Sequence, residues 1–384
     1  MRCVLGYAGG TALVLLALAD VFMTVLYARA GTGPVSHRLA AGGWAVVRRV
    51  ARRLAPARRD ALLGYFGPGY LVTLLAVWFG LLLLGFTLLT WPGLGGGIVR
   101  QDGPTPTDLL TAFHFAGGSL TTVGTGDLQP KSAFYRVLTV IDSVIGISVV
   151  TLAMTYVLQL YTALQRRNTL ALGLHHASGG TGDAAALLAG LGPGDDFSHG
   201  DGQLSALAAE VTGVFESHHF YSVLVYFRFR EPRYATARGA LVVMELVTLI
   251  DTALDERRHG WLRRSSAVTQ AREGGMQVLT ENAAIYLPGG APATADPSPE
   301  AADRWRRRYR AAVGHLVAAG ISVTADPDAG ADRYVALRRH WDPHVAAFAR
   351  YMEHAIDEID PAGADPAETG RHREMPTPPL RRVG

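Results

Sequence analysis

Three stretches of apolar residues, each long enough to cross a lipid bilayer, constrain this chain more than any other feature. A transmembrane helix needs about 20 consecutive, predominantly apolar residues. The stretches cover residues 8–28, 69–91 and 132–164 of the 384-residue chain. The first and third each contain one acidic residue, Asp20 and Asp142, and ionisable groups inside a span by default mark a pathway or a partner. The pattern predicts an all-α membrane protein.

The arginine residues predict how these spans are oriented. Eight arginines lie between residues 29 and 59. Because cytoplasmic loops carry an excess of Arg and Lys, we expect a multi-pass protein of the cell membrane with its N-terminus outside and everything after residue 165 in the cytoplasm. Residues 28–30 fit the cleavage pattern of a signal peptide, but the apolar stretch before them is longer than a signal-peptide core. We therefore expect the N-terminal transmembrane helix, within residues 1–30, to be retained.

The basic segment that follows, residues 31–67, carries an amphipathic helical pattern over residues 36–60. Arginines opposite an apolar side are typical of a helix that lies on the anionic inner leaflet, which would make membrane lipids a partner. An exposed connector that only obeys the charge rule explains the pattern equally well. The apolar side consists of Leu39, Trp44, Val47, Val50 and Leu54.

The segment between the second and third stretches has the features of a pore loop. It reads TDLLTAFHFAGGSLTTVGTGDLQP from Thr107. Thr107 and Asp108 favour the start of a helix over residues 108–120, which is too short to span the bilayer and is therefore re-entrant. The alternating glycines of 121–127 permit a backbone that points successive carbonyl oxygens at a cation. One chain cannot close such a ring, so several copies around an axis are required.

This pore loop resembles that of the tetrameric potassium channels, especially the bacterial channels with two helices around a pore loop and a T-V-G-Y-G filter followed by Asp. The resemblance covers residues 68–165 and implies a homotetramer that passes K⁺ passively. It implies an outer helix over 69–91, a pore helix over 108–120, a selectivity filter over 121–127 and an inner helix over 132–164. The N-terminal helix is additional to this module. The matching filter residues are Thr121, Thr122, Val123, Gly124, Gly126 and Asp127.

The resemblance also implies roles for single residues. Phe115, Thr121 and Asp127 would support the filter. Gly146, twenty residues after Gly126, corresponds to a gating hinge. The residues expected to bind K⁺ through their carbonyls are Thr122, Val123, Gly124 and Thr125, with Gly126 completing the ion-binding stretch. Counted from the hinge, the pore-lining residues are Ile147, Val150, Met154 and Leu158.

The sequence departs from the family pattern at two positions. Thr125 replaces the filter tyrosine, and Gly118 occupies a pore-helix position that is acidic in some relatives. His114 and Phe115 stand where the aromatic residues that meet the tyrosine would be, and we expect His114 to pack behind the filter. Asp142 is expected to be a hydrogen-bonded structural acid that faces the pore helix or the outer helix.

The remaining chain predicts a helical cytoplasmic domain over residues 203–360. Residues 166–202 are rich in Gly, Asp and His and are predicted to be a flexible linker, and the Pro-rich tail 361–384 is predicted to be disordered. Helical periodicity predicts helices over 203–229 and 235–254, the second with Glu245 on its polar side. The arginines of this domain alternate with acids and are predicted to form a solvated, ion-paired surface or an oligomer contact.

Composition excludes several other classes of protein. The single cysteine, Cys3, excludes an internal disulfide framework, and the net charge of +3 is too small for a nucleic-acid binder. No nucleophile–base pair, phosphate loop or metal-ligand spacing is evident, so we expect no enzyme and no cofactor, with K⁺ only as the permeant ion. Three functions stay open: a potassium-selective channel, a weakly selective or non-selective cation channel of the same architecture, and a membrane-anchored sensor with a vestigial pore.

Overall fold

The computed structural model describes residues 2–27, 33–287 and 289–360. The cleavage pattern at 28–30 and the predicted tail therefore lie outside the described residues. The chain divides into two units, which are described separately. Unit 1 contains residues 1–164 and 219–227, and unit 2 contains residues 165–218 and 228 onward.

Unit 1 consists mainly of five helices. Among the described residues, three helical segments are long and apolar enough to cross a membrane, which confirms an all-α membrane protein. A two-stranded antiparallel sheet pairs β1 (Ile98–Arg100) with β2 (Leu128–Pro130). The helices are α1 (Arg2–Val21, continued by a π-helical turn Phe22–Leu26), α2 (Pro34–Ala51), α3 (Pro56–Thr90), α4 (Leu109–Leu120) and α5 (Ala133–Ala177), the last of which continues into unit 2.

Glycine residues allow helices α1 and α3 to pack closely. A Cβ atom at Gly10 would lie 2.6 Å from the carbonyl oxygen of Gly85, and one at Gly85 would lie 3.0 Å from that of Gly10. Transmembrane helices associate through such small residues because close backbone approach increases van der Waals contact. The N-terminal helix is thus packed against the helix expected to be the outer helix of its own pore module.

Asp20, the acid in the first span, joins α1, α2 and α3. Its carboxylate is completely buried and accepts hydrogen bonds from the backbone N–H groups of Val35 (2.7 Å) and Ser36 (3.2 Å). The indole N–H of Trp78 in α3 donates a third at 2.7 Å. The first N–H groups of a helix have no partner within it and favour negative charge, so Asp20 caps α2 from outside that helix. Its role is therefore structural.

The apolar side predicted for the basic segment packs partly on protein. Trp44 is buried, with its ring centroid 5.2 Å from that of Phe66 and 5.6 Å from that of Tyr226. Val50 and Leu54, by contrast, remain exposed. The arginine residues of this segment that are exposed include Arg38, Arg49, Arg52, Arg53 and Arg58.

The helix predicted over residues 203–229 ends earlier than expected. Helix α7 (Gly200–Phe220) is followed by a 3₁₀ turn over Ser222–Tyr226, which belongs to unit 1. The aromatic residues on either side of this turn pack against other residues of unit 1. The ring centroids of Tyr221 and Tyr156 are 5.9 Å apart, and those of Phe227 and Tyr161 are 6.1 Å apart.

The linker predicted over residues 166–202 is largely helical. Helix α5 continues to Ala177, and a further helix, α6, covers Ala184–Leu191. Leu170 and Leu174 are buried, so this stretch is held by packing although its composition is typical of a connector. The other helices of unit 2 are α8 (Thr236–Thr252), α9 (Glu256–Arg263), α10 (Ser266–Tyr286), α11 (Pro299–Ala318), α12 (Pro327–Tyr351) and α13 (Ile356–Ile359).

The prediction that the arginines of this domain are solvated is wrong for three of them, which are buried: Arg228, Arg308 and Arg338. Arg308 and Arg338 are buried and both bind the carboxylate of Glu245, at 2.7 and 2.9 Å. Helix α8 is buried on all sides over residues 240–250, so Glu245 lies in the core and not on a polar side. Both guanidinium groups also bind Asp360 and, although burial opposes this, lower the pKa of that carboxyl. The network ties α8, α11 and α12 to the end of the described chain.

Replacing Glu245 by Gln is expected to destabilise unit 2 by about 3–5 kcal/mol, because two buried guanidinium groups lose a shared counter-charge. The loss of stability is measured by urea unfolding of the purified full chain, monitored through the protease resistance of the unit 2 fragment. Asp328→Asn is the control, since Asp328 pairs with Arg310 on an exposed surface, where an ion pair contributes less than about 1 kcal/mol. Equal losses in the two variants would contradict the prediction.

Candidate ion-conduction site

The short helix α4 begins with a side-chain cap and ends in the predicted filter. Asp108 accepts hydrogen bonds from the backbone N–H and the hydroxyl of Thr111, at 2.9 and 2.8 Å. Twelve residues of α-helix rise about 18 Å, well short of a bilayer core of about 30 Å. The C-terminal end of α4 therefore lies partway across any membrane that α4 enters.

A hydrophobic cluster holds both ends of the predicted filter. Phe115, predicted to support the filter, is buried within it. The cluster combines residues that precede segment 121–127, such as Ala112 of α4, with residues that follow it, such as Leu128 of β2. Its other members are Leu94, Ile98 and Tyr135, with Trp91 and Leu138 packed against it.

Every second residue from 122 to 126 in the predicted filter has a positive φ angle, in the left-handed region. Thr122, Gly124 and Gly126 have φ angles of 60°, 80° and 58°. Backbone hydrogen bonds from Thr122 to Ser119 and from Gly124 to Gly118, both 3.0 Å, tie this stretch to α4. A non-glycine residue in the left-handed region costs about 1–2 kcal/mol, so Thr122 is held there against its own preference. Backbone strain of this kind is concentrated at functional sites.

The two departures from the family pattern are adjacent in space. The Thr125 hydroxyl donates to the carbonyl of Leu128 at 3.1 Å. A Cβ atom at Gly118 would lie 2.6 Å from Cγ2 of Thr125 and 3.0 Å from the carbonyl oxygen of Gly124. No side chain fits at position 118 in this arrangement. Threonine at 125 and the lack of an acidic side chain at 118 are therefore linked, because Thr125 occupies the space that a side chain at 118 would need.

Asp127 pairs with Arg100, a residue for which the sequence predicted no role. Its carboxylate forms an ion pair of 3.1 Å with Arg100, and its carbonyl accepts from the N–H of Gln101 at 2.9 Å. Arg100 ends β1, which pairs with β2 immediately after the filter. Three-residue strands carry too little pattern to be found in a sequence, so this partner is visible only in the structure.

Gly146 allows the end of α4 to contact α5. A Cβ atom at position 146 would collide with the carbonyl oxygen of Leu120. Beside this contact the Ser143 hydroxyl donates to the carbonyl of Ser119 at 2.9 Å. Helix α5 runs through Gly146 without a break. The gating hinge therefore stays a prediction, and close packing is the role that the structure gives this glycine.

The four predicted pore-lining residues share one exposed face of α5. Their exposed fractions lie between 49% and 67% in the single chain. They follow one another at three- and four-residue spacing, which keeps them on one side of the helix. The residues are Ile147, Val150, Met154 and Leu158. Val123 of the filter segment is more exposed still, at 83%.

Two side chains near the filter have surroundings in the single chain that the sequence did not predict. Asp142 is buried, but its Oδ1 atom has no hydrogen-bond partner among the described residues. The hydroxyl of the neighbouring Ser143 donates to the carbonyl of Ser119 and therefore does not donate to Asp142. His114 is exposed and does not pack behind the filter of its own chain.

Comparison with known proteins finds a family match for the central part of the chain. Residues 70–163, about a quarter of the sequence, match the family model described as "Ion channel". The match indicates an ion channel. The chain is also 22% identical over 251 residues to the "Uncharacterized membrane protein YdjJ" of Bacillus subtilis (strain 168), an alignment that covers 65% of this chain and 70% of that protein. No solved structure matches the chain significantly.

Replacing Gly146 by Ala is expected to destabilise the contact between α4 and α5 by about 1–3 kcal/mol, because the added methyl group meets backbone that cannot rotate away. The midpoint of thermal unfolding of the purified protein measures this. Gly173→Ala in the same helix is the matched control, since nothing lies within 4 Å of a Cβ atom there. A midpoint lowered equally in both variants would refute the packing role of Gly146.

Proposed function

We propose that this protein is a potassium-selective channel that conducts K⁺ passively through the centre of a homotetramer. One observation carries the proposal. The segment 121–127 follows a helix too short to cross a bilayer, alternates into the left-handed region at Thr122, Gly124 and Gly126, and is followed by a membrane-length helix. The family match, which covers the same segment, supports it.

The chemistry of conduction is the replacement of water by backbone oxygen. A K⁺ ion that enters the filter loses its hydration shell, and rings of carbonyl oxygens take the place of that shell. Each of four chains would supply the carbonyls of Thr122, Val123, Gly124 and Thr125, because one chain has too few oxygens to surround an ion. No covalent bond forms or breaks, so the protein acts as a channel and not as an enzyme.

Exposed apolar residues on α5 support the location of the pore below the filter. Ile147, Val150, Met154 and Leu158 would face the axis, where a hydrophobic constriction gates conduction by excluding water. Bending at Gly146 would widen the constriction, but it would first have to break the contact with Leu120. Opening and the attachment of α4 are therefore coupled in this proposal.

The basic segment supports the proposed orientation. Exposed arginines around α2 fit the anionic inner leaflet, which would put the N-terminus outside the cell and unit 2 in the cytoplasm. Val46, Val50 and Leu54 are exposed and available for lipid contact, whereas Trp44 is buried in protein. Lipid binding then depends more on charge than on buried apolar area.

Thr125 supports a second candidate, a weakly selective cation channel of the same architecture. Threonine fills less space than the tyrosine of the family pattern, and its hydroxyl bonds the carbonyl of Leu128 within its own chain. The carbonyl oxygens that bind cations are unaffected by this exchange. Discrimination between K⁺ and Na⁺ is the property that distinguishes the two candidates.

Flux into liposomes that contain the purified full chain tests the channel, with K⁺ and Na⁺ gradients run in parallel. Gly124→Ala is expected to abolish flux, since alanine at a φ of 80° costs about 1–2 kcal/mol in each copy. Gly103→Ala is the matched control: its φ is 81°, it too has open space around a Cβ atom, and it lies in the loop before α4. Flux that survives Gly124→Ala would refute the assigned filter, and equal K⁺ and Na⁺ flux would favour the second candidate.

Thr125→Val keeps the shape of the side chain and removes its hydrogen bond to Leu128. The K⁺-to-Na⁺ flux ratio is expected to fall about fivefold, because one hydrogen bond of about 1 kcal/mol no longer restrains the filter in each chain. Thr73→Val is the control, since the Thr73 hydroxyl bonds a backbone carbonyl of α3 far from the filter in sequence. An unchanged ratio in Thr125→Val would show that this hydroxyl does not maintain selectivity.

A further inference from the structure

Four basic side chains of unit 2 lie near one another and have no role in the proposed channel. We call them the basic cluster. His175 and His176 lie at the C-terminal end of α5, with ring centroids 6.0 Å apart. Arg233 belongs to the 3₁₀ turn Pro232–Tyr234, and Arg238 belongs to the first turn of the helix that follows, α8. The charges of both arginines act on the ring of His175, so the four groups are neighbours in space.

A glycine-rich loop between α5 and α6 contacts two members of the basic cluster. A Cβ atom at Gly180 would lie 3.9 Å from Nε2 of His175, and one at Gly182 would lie 2.6 Å from Nη2 of Arg238. The guanidinium group of Arg238 also donates to the carbonyl of Thr181 in this loop, at 2.7 Å. The absence of side chains at 180 and 182 therefore lets both basic groups lie against the same short stretch of backbone.

The basic cluster has donors that no described residue satisfies. The Nε atom of Arg233 and the Nδ1 atom of His175 are buried, and neither has a hydrogen-bond partner within the described part of the chain. The described acids form no ion pair with Arg233 or Arg238. Buried donors are normally satisfied by protein, water or a bound ion, and the positive charge here favours an anion.

The acid nearest in effect does not neutralise the basic cluster. The charge of Asp360 acts on Arg238, but the carboxylate of Asp360 already binds Arg308 and Arg338. The first turn of α8 contains no acid either. A positive charge in the first turn of a helix is opposed by the helix dipole, so Arg238 increases the need for a negative partner.

We propose that the basic cluster binds a tetrahedral dianion, namely the phosphate group of a small molecule or of a lipid headgroup. Arg233 and Arg238 supply two permanent positive charges, which match the charge of such a group. The planar fork of a guanidinium group can donate to two oxygens of one phosphate. The guanidinium carbon of Arg233 lies 5.2 Å from the centre of the Tyr234 ring, a contact that restrains it without using an N–H donor.

His175 would add a third donor to the bound anion, through the nitrogen that has no partner. Because His175 belongs to α5 and Arg238 to α8, the anion would link these two helices within unit 2. The proposal concerns binding alone and does not depend on the proposed channel function.

Equilibrium dialysis of radioactive sulfate against the full chain in phosphatidylcholine nanodiscs tests the site. Sulfate has the shape of phosphate and carries two negative charges at neutral pH. Its binding is expected to saturate, to be competed by inorganic phosphate and to be unaffected by acetate at the same ionic strength. No saturable binding of sulfate would overturn the site, and competition by acetate as strong as that by phosphate would overturn the dianion.

Arg233→Gln is expected to weaken sulfate binding about tenfold, because the anion loses charge-assisted hydrogen bonds. Arg257→Gln is the matched control, since it removes the same charge from an exposed arginine of α9 outside the basic cluster. Arg238 is left unaltered because its bonds to the carbonyls of Thr181 and Glu358 support the fold. Equal affinities of Arg233→Gln and Arg257→Gln for sulfate would refute the site.

Arg233→Lys separates charge from geometry. It keeps the positive charge and removes the planar fork, so we expect sulfate to bind about threefold more weakly than to the unaltered chain. An affinity unchanged in Arg233→Lys would contradict the role of the fork.

Nanodiscs that also contain phosphatidic acid distinguish the two sources of the phosphate. Sulfate binding that falls in these nanodiscs, compared with phosphatidylcholine alone, would assign the site to a lipid headgroup. Sulfate binding that stays the same would assign it to a soluble phosphorylated molecule. Flux is not measured in any of these experiments, so failure of the channel function and failure of the site remain distinguishable.

Discussion

The short helix α4 sets the constraint on which the rest of unit 1 depends. Irregular backbone at membrane depth is tolerated only where it is buried in protein or lines a water-filled cavity, so the segment after α4 needs support from protein. The structure meets this need at three places: the cluster around Phe115, the β1–β2 pair beside Asp127, and the contact of Leu120 with Gly146. Each of these uses residues that flank the filter in the sequence, and within the filter the carbonyl of Thr125 accepts a hydrogen bond from the N–H of Asp127.

The sequence predicted the membrane spans and α4 because their signals are local. Apolar length identifies a span, and Asp108 followed by apolar residues identifies the start of a helix. The supports of the filter were predictable only in part. Phe115 could be inferred from a family resemblance, whereas Arg100 reaches Asp127 through strands of three residues, and the fit between Gly118 and Thr125 depends on contacts between residues seven positions apart.

In unit 2, helical periodicity predicted the wrong surroundings for Glu245. A helix that contains Glu245 and Asp251 reads as amphipathic, yet Glu245 is buried because Arg308 and Arg338 arrive from helices more than sixty residues away. Charge alternation along α11 and α12 does not distinguish an arginine in solvent from one in the core. A buried network of this kind is invisible in a single sequence, since each partner taken alone is an ordinary surface residue.

The carboxylate of Asp20 has a consequence for how the protein responds to its bilayer. It binds the start of α2 to the end of α1 and to Trp78 of α3, so the basic helix cannot change its depth independently of the first two membrane helices. Helices adapt to bilayers of different thickness by tilting. A tilt of α1 would therefore carry the arginines of α2 toward or away from the headgroups. A change in the hydrophobic thickness of the bilayer would then also change how strongly these arginines interact with the charge at its surface.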